Sequence, residues 1–120
     1  MRIAITAQGR DLNAPVDPRF GRAACFVVVD TETGAVSVVD NTQSLNAPQG
    51  AGIQAGKTVV DLGVKALITG HVGPKAFATL TAGGVAVYTG AAGDVGGAVE
   101  QFKAGTLKPA DAATVEGHWV

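Results

Sequence analysis

From Gly50 to Phe102 the chain alternates helix-period segments with short β-branched runs, and this alternation restricts the fold more than any other feature. In GAGIQAGKTVVDLGVK the polar residues Gln54, Lys57, Thr58, Asp61 and Lys65 share one helical face, leaving Ile53, Gly56, Val59, Val60 and Gly63 to face inward. Glycines on that face allow close approach to a sheet. Ala66 to Thr69 reads as a short buried strand. Pro74, at a first helical position, opens a helix through Leu80 with Ala76, Phe77 and Leu80 as its apolar stripe, stopped by Gly83 and Gly84. Val85 to Tyr88 is the next strand. Val95, Ala98, Val99 and Phe102 recur at i, i+3, i+4 and i+7 for a third helix, N-capped by Asp94. Such a succession requires parallel strands joined by right-handed crossovers.

The amino-terminal part has a different logic. Arg2 to Ala7 alternates Ile3 and Ile5 with smaller residues and reads as a strand. Ala24 to Asp30 and Ala35 to Asp40 are β-branched runs separated by TETG, where Gly34 can take positive φ, so they form an antiparallel hairpin. Asn41 to Gly50 has loop composition. The expected architecture is α/β: a five-stranded mixed sheet, hairpin plus parallel strands, with helices on both faces. The chain reads as one domain over residues 1–108, followed by a tail, 109–120, which Trp119 docks onto the body.

Composition narrows the function. A chain of 120 residues with 47% hydrophobic side chains, 17 glycines and few aromatics must build its core from small, closely approaching groups. A net charge of −1 gives no broad basic surface for a nucleic-acid backbone. The longest unbroken apolar run, Ala23 to Val29, falls far short of a membrane span, and the amino terminus lacks a signal-peptide pattern, so a soluble cytoplasmic protein is expected. Cys25 is the only cysteine, which excludes an intramolecular disulfide or a multi-cysteine metal site within one chain; its β-branched surroundings are those of an inert buried thiol.

In an open sheet, ligands collect beyond the carboxyl ends of the parallel strands. Three glycine-bearing loops reach that edge: AQGRD after the first strand, TGHVGPK after the fourth, and TGAAGD, with Gly90, after the fifth. The last two run into helix starts, whose partial positive charge suits an anion. His71 stands in the second loop. The loop DPRFGR, Asp17 to Arg22, adds two arginines. GAGIQAG imitates a dinucleotide fingerprint but does not directly follow a strand, so close helix packing is the better use of its glycines. No pair of carboxylates converges for hydrolysis, and an enzyme is not expected.

DPRFGR, GAGIQAG and TGHVGPKAF together resemble the dinitrogenase iron–molybdenum cofactor biosynthesis family, with its [HR]-F-G, G-x-G-I-Q-A and T-G-x-x-G-P-x-A-F signatures, over roughly Met1 to Phe102. The resemblance implies a ribonuclease H-like fold without nuclease activity and a non-catalytic carrier or holder of a preassembled metal–sulfur cluster. The implied cargo is an anionic molybdenum–copper sulfide cluster held non-covalently, or alternatively an iron–molybdenum cluster or its precursor. Arg19, Phe20, Gly21 and Arg22 match the family's mobile loop; Asn41, Gly50 and Gly52 match the approach to the first helix; Thr69, Gly70, Gly73, Pro74 and Lys75 match the fourth-strand loop, in which Val72 also lies and His71 stands at a variable place. Relatives often carry histidine before Phe-Gly. Arg19 stands there instead, and a guanidinium is no ordinary metal ligand, so no direct ligation is implied, with His71 the one exception left open. On this reading Phe20 covers the cluster and Gly21 is the hinge. The alternative is an accessory interaction domain, in which the DPRFGR loop and Trp119 contact a partner protein of a cofactor-assembly or cell-division system.

Overall fold

The computed structural model describes residues 1–41 and 51–113. Its strands are β1 (Arg2–Ala7), β2 (Cys25–Asp30), β3 (Val36–Asp40), β4 (Ala66–Ile68) and β5 (Ala86–Tyr88), and its helices α1 (Ala51–Asp61), α2 (Pro74–Ala82) and α3 (Val95–Ala104). A single mixed sheet runs in the order β3-β2-β1-β4-β5. β1 pairs antiparallel with β2 and parallel with β4, β2 pairs antiparallel with β3, and β4 pairs parallel with β5. The α/β class, the five strands and the hairpin agree with the sequence reading, and Gly34 takes φ 78° in the TETG turn.

β1 is central, which explains a burial that simple alternation does not predict. Every residue from Ile3 to Ala7 is buried, because neighbours flank both edges and helices cover both faces. Ile3, Ile5, Val27, Val29, Ala66 and Ile68 form one core with Val95, Ala98 and Val99 of α3. Ala4, Phe26, Val28, Leu67 and Val87 form the other with Ala55 and Val59 of α1 and Ala76 and Leu80 of α2.

Several boundaries differ from expectation. α1 ends at Asp61, and Gly63 takes φ 73° beyond it, so neither Gly63 nor Lys65 belongs to the helix. β4 stops at Ile68, β5 starts at Ala86, and α2 runs on to Ala82. The close approach at Gly56 is to a helix, not to the sheet: a Cβ there would stand 3.0 Å from Thr79 Cγ2 of α2. Asp94 does cap α3, accepting from Gly97 N at 2.6 Å.

Pro109 and Ala110, read from sequence as the start of a tail, lie beside the outer edge of β5. Pro109 bridges Tyr88, and Ala110 N donates to Val87 O at 2.7 Å. Trp119 and His118 lie outside the described residues. Among the described residues no helix is long and apolar enough to cross a membrane.

Candidate functional site at the carboxyl edge of the sheet

Because β1, β4 and β5 run parallel, their carboxyl ends open on one edge, and three loops converge there. The chain leaving β1 turns back across that edge. Gln8 N donates to Pro15 O at 2.9 Å, and Asp17 N donates to Thr6 O at 2.9 Å. The DPRFGR stretch then lies along the loop after β4: His71 N donates to Pro18 O at 2.7 Å, Phe20 N donates to His71 O at 3.2 Å, and Arg19 and His71 form a parallel bridge. Two residues far apart in sequence, one cationic and one able to ligate metals, are thereby held side by side by backbone bonds.

The fourth-strand loop is tied on its other side to the loop after β5. Gly90 N donates to Gly70 O at 2.9 Å, and Ala91 N donates to Thr69 O at 3.2 Å. Gly70 is required for contact with the DPRFGR loop, since a Cβ there would stand 2.7 Å from both Pro18 Cα and Pro18 O. Gly90 takes φ 82°, a conformation that glycine adopts without strain.

Phe20 does not cover the edge. It is 1% exposed, begins a short 3-10 turn over Phe20–Arg22, and packs in the α1/α2-side core with its ring centroid 5.9 Å from that of Phe26. The loop expected to be a mobile flap therefore has an aromatic anchor in the core and backbone bonds to its neighbour. Gly21 is buried inside the same turn, against which α1 packs. Arg19 is exposed and Arg22 half-buried. Asn41 turns its amide inward: Nδ2 donates to Ala23 O at 3.0 Å and to Gly21 O at 3.4 Å, bracing the turn from beneath. Val72 is fully buried, Gly52 is buried in the first turn of α1, and Gly50 lies outside the described residues.

The two helix starts at this edge are not equivalent. At α3 the first N–H groups are already bonded: Val95 N to Ala14 O at 2.9 Å, Gly96 N to Leu12 O at 2.8 Å, and Gly97 N to the Asp94 side chain. That terminus has no donors left for an anion, contrary to the expectation from TGAAGD. At α2, Gly73 is the N-cap and makes no side-chain cap bond, Pro74 has no N–H, and Lys75 follows, exposed. Among the described residues, the first-turn N–H groups of Lys75 and Ala76 make no backbone hydrogen bond to another segment.

Cys25 opens β2 opposite Ala7, close to the same edge. It is buried, and Sγ lies 3.0 Å from Gly9 O, consistent with a weak S–H donor. Burial pushes its thiol above the ordinary value, the Arg10 charge opposing and Asp40 and Asp17 adding to the rise. Arg10 and Asp40 form an ion pair across the neighbouring surface. Among the described residues no three His, Cys, Asp or Glu side chains gather as a metal-ligand set.

Sequence reasoning missed a buried polar cluster beneath the loops. Thr6 Oγ1 lies 2.8 Å from Asp17 O and 2.9 Å from Thr69 Oγ1, with both threonines fully buried. Asp17 is itself buried, and its Oδ1 accepts from Arg19 N at 3.0 Å. The available signal was Thr6 itself, the lone hydroxyl in the apolar segment IAITA.

Comparison with known proteins places this arrangement. The apo form of the orange protein from Desulfovibrio gigas superimposes with a TM-score of 0.93 at 45% identity, over 95% of this chain and 96% of that one. A Thermotoga protein of the DUF35 family, solved by NMR, gives a TM-score of 0.83 at 41% identity, over 97% and 98% of the two chains. An uncharacterized protein of Methanocaldococcus jannaschii is 28% identical over 111 residues, 90% of each chain. The family model described as dinitrogenase iron-molybdenum cofactor matches residues 1–105, most of the chain, and the chain belongs to this family.

Proposed function

We propose that the protein is a non-catalytic holder or carrier of an anionic, molybdenum-containing metal–sulfide cluster of the molybdenum–copper sulfide type, bound without covalent attachment. The observation that carries the reading is the backbone pairing of Arg19 with His71 beside the start of α2, in a chain 45% identical to the orange protein. A thiomolybdate-type cluster brings its own sulfide ligands, so its host need offer cationic groups and backbone donors, not a thiolate set. Arg19, Arg22 and Lys75 supply the charge, and the first turn of α2 supplies N–H donors with the positive end of a helix dipole. His71 is the one imidazole in these loops. The strand order and directions also support a ribonuclease H-like assignment. A protein of cofactor assembly that loads or unloads the cluster is the partner this reading calls for.

Reconstitution decides it. The apoprotein, incubated with tetrathiomolybdate and copper and then desalted, is expected to keep stoichiometric molybdenum and copper with a new visible absorption. Loss of molybdenum on desalting overturns the reading, and retention only when iron replaces copper reassigns the cargo to an iron–molybdenum cluster. The double variant R19A/R22A should bind about a hundredfold or more weakly, each of the two charge-assisted contacts being worth roughly 1.5–3 kcal/mol.

A further inference from the structure

The buried hydroxyls of Thr6 and Thr69 have no role in the cluster-holding function as stated, yet they sit directly under it. β1 is otherwise aliphatic from Ile3 to Ala7, and a valine would fill the place of Thr6 with the same shape. A buried hydroxyl is a cost unless bonded. The bonds made here have a defined direction: Asp17 O can only accept, so the single proton of Thr6 goes to it, and the Thr69 hydroxyl must then donate to Thr6 Oγ1. Thr6 also accepts from Asp17 N through its backbone carbonyl. One residue of the central strand thus holds Asp17 by both its N–H and its carbonyl. Asp17 passes the constraint on, its carboxylate fixing Arg19 N at 3.0 Å, and the next peptide along, at Pro18, receives His71 N.

We propose that Thr6 is a positioning residue for the cationic loop: through its hydroxyl it fixes Asp17, and through Asp17 it sets Arg19 against His71. The proposal rests on the cluster-holding reading for its functional meaning, but its structural part is independent of it. Thr69 completes the hydrogen bonding of the Thr6 hydroxyl, so the loop is referenced to β1 and to the residue that follows β4.

The test uses T6V, T6S and the double variant T6V/T69V, read by amide hydrogen exchange, thermal unfolding, and retention of tetrathiomolybdate with copper. In T6V the amides of Phe20 and His71 should exchange about tenfold faster than in the wild type, while those of Val27 and Leu67 change little, and the probe should be held about tenfold more weakly. T6S should behave as the wild type. T6V/T69V removes the stranded Thr69 hydroxyl and should recover part of the melting temperature lost in T6V, yet keep the fast exchange and weak retention, because Asp17 still lacks its donor. A purely structural role predicts that stability and retention recover together, and that result overturns the proposal, as does T6V with unaltered or uniformly accelerated exchange. If the wild type does not hold the probe, the cluster reading falls, and the exchange pattern alone decides the role of Thr6.

Discussion

Phe20 and Asn41 illustrate how single residues hold a loop in place. Both fall in stretches matched to the family; Phe20 is buried against Phe26, and the Asn41 side-chain nitrogen donates to the backbone of the turn. Truncating an aromatic in such a position costs about 3–5 kcal/mol. Cys25 is the converse case, near the edge in space but chemically quiet. Its thiol is raised above the ordinary value, chiefly by burial, so the folded state keeps its proton more tightly than the unfolded chain. The resulting stability is fully present below the unfolded-state value and is lost as pH rises through the folded-state one. Iodoacetamide should therefore label native Cys25 slowly at pH 7 and rapidly once urea unfolds the chain. Melting curves from pH 8 to 11 should show a shallower alkaline decline for Cys25→Ala than for the wild type; parallel curves would place the titrating group elsewhere.

Elements meet at this edge under different constraints, and the contrast between the two helix starts can be tested. α3 is closed by Leu12, Ala14 and Asp94, so Asp94→Ala should cost about 1 kcal/mol of stability, as for other N-caps, and leave thiomolybdate retention as it was. Gly70→Ala forces a Cβ into the Pro18 backbone and must push the DPRFGR loop outward. It should cost about 1–3 kcal/mol and weaken retention together. Thermal unfolding and desalting of the two variants side by side separate these outcomes. The helical and strand elements were readable from periodicity, because a 3.6-residue or two-residue repeat is a local consequence of which face is buried. Their ends were less readable: α1 stops at Asp61 because Gly63 adopts a left-handed conformation, an event that leaves no mark on the hydrophobic pattern.

At the scale of the molecule, residues 107–110 close the β5 edge, with Leu107 packed on the α3-side core and Ala110 on the core of the other face. Ending the chain after Thr106 should lower the melting temperature and promote association at high concentration, measured by thermal unfolding and light scattering, because an uncovered strand edge pairs with other chains. The amino-acid sequence by itself determined the α/β class, the hairpin at Gly34, the cap at Asp94 and the set of loops that gather at the carboxyl edge. These follow from local propensity and from the direction that parallel strands impose. Only the tertiary structure decided which loop donors remain to be used, that Phe20 is an anchor, and that Thr6, Asp17 and Thr69 form one buried cluster. Each depends on contacts between segments far apart in the chain: Thr6 and Thr69 are separated by 63 positions, and no periodicity in either neighbourhood records that their hydroxyls meet.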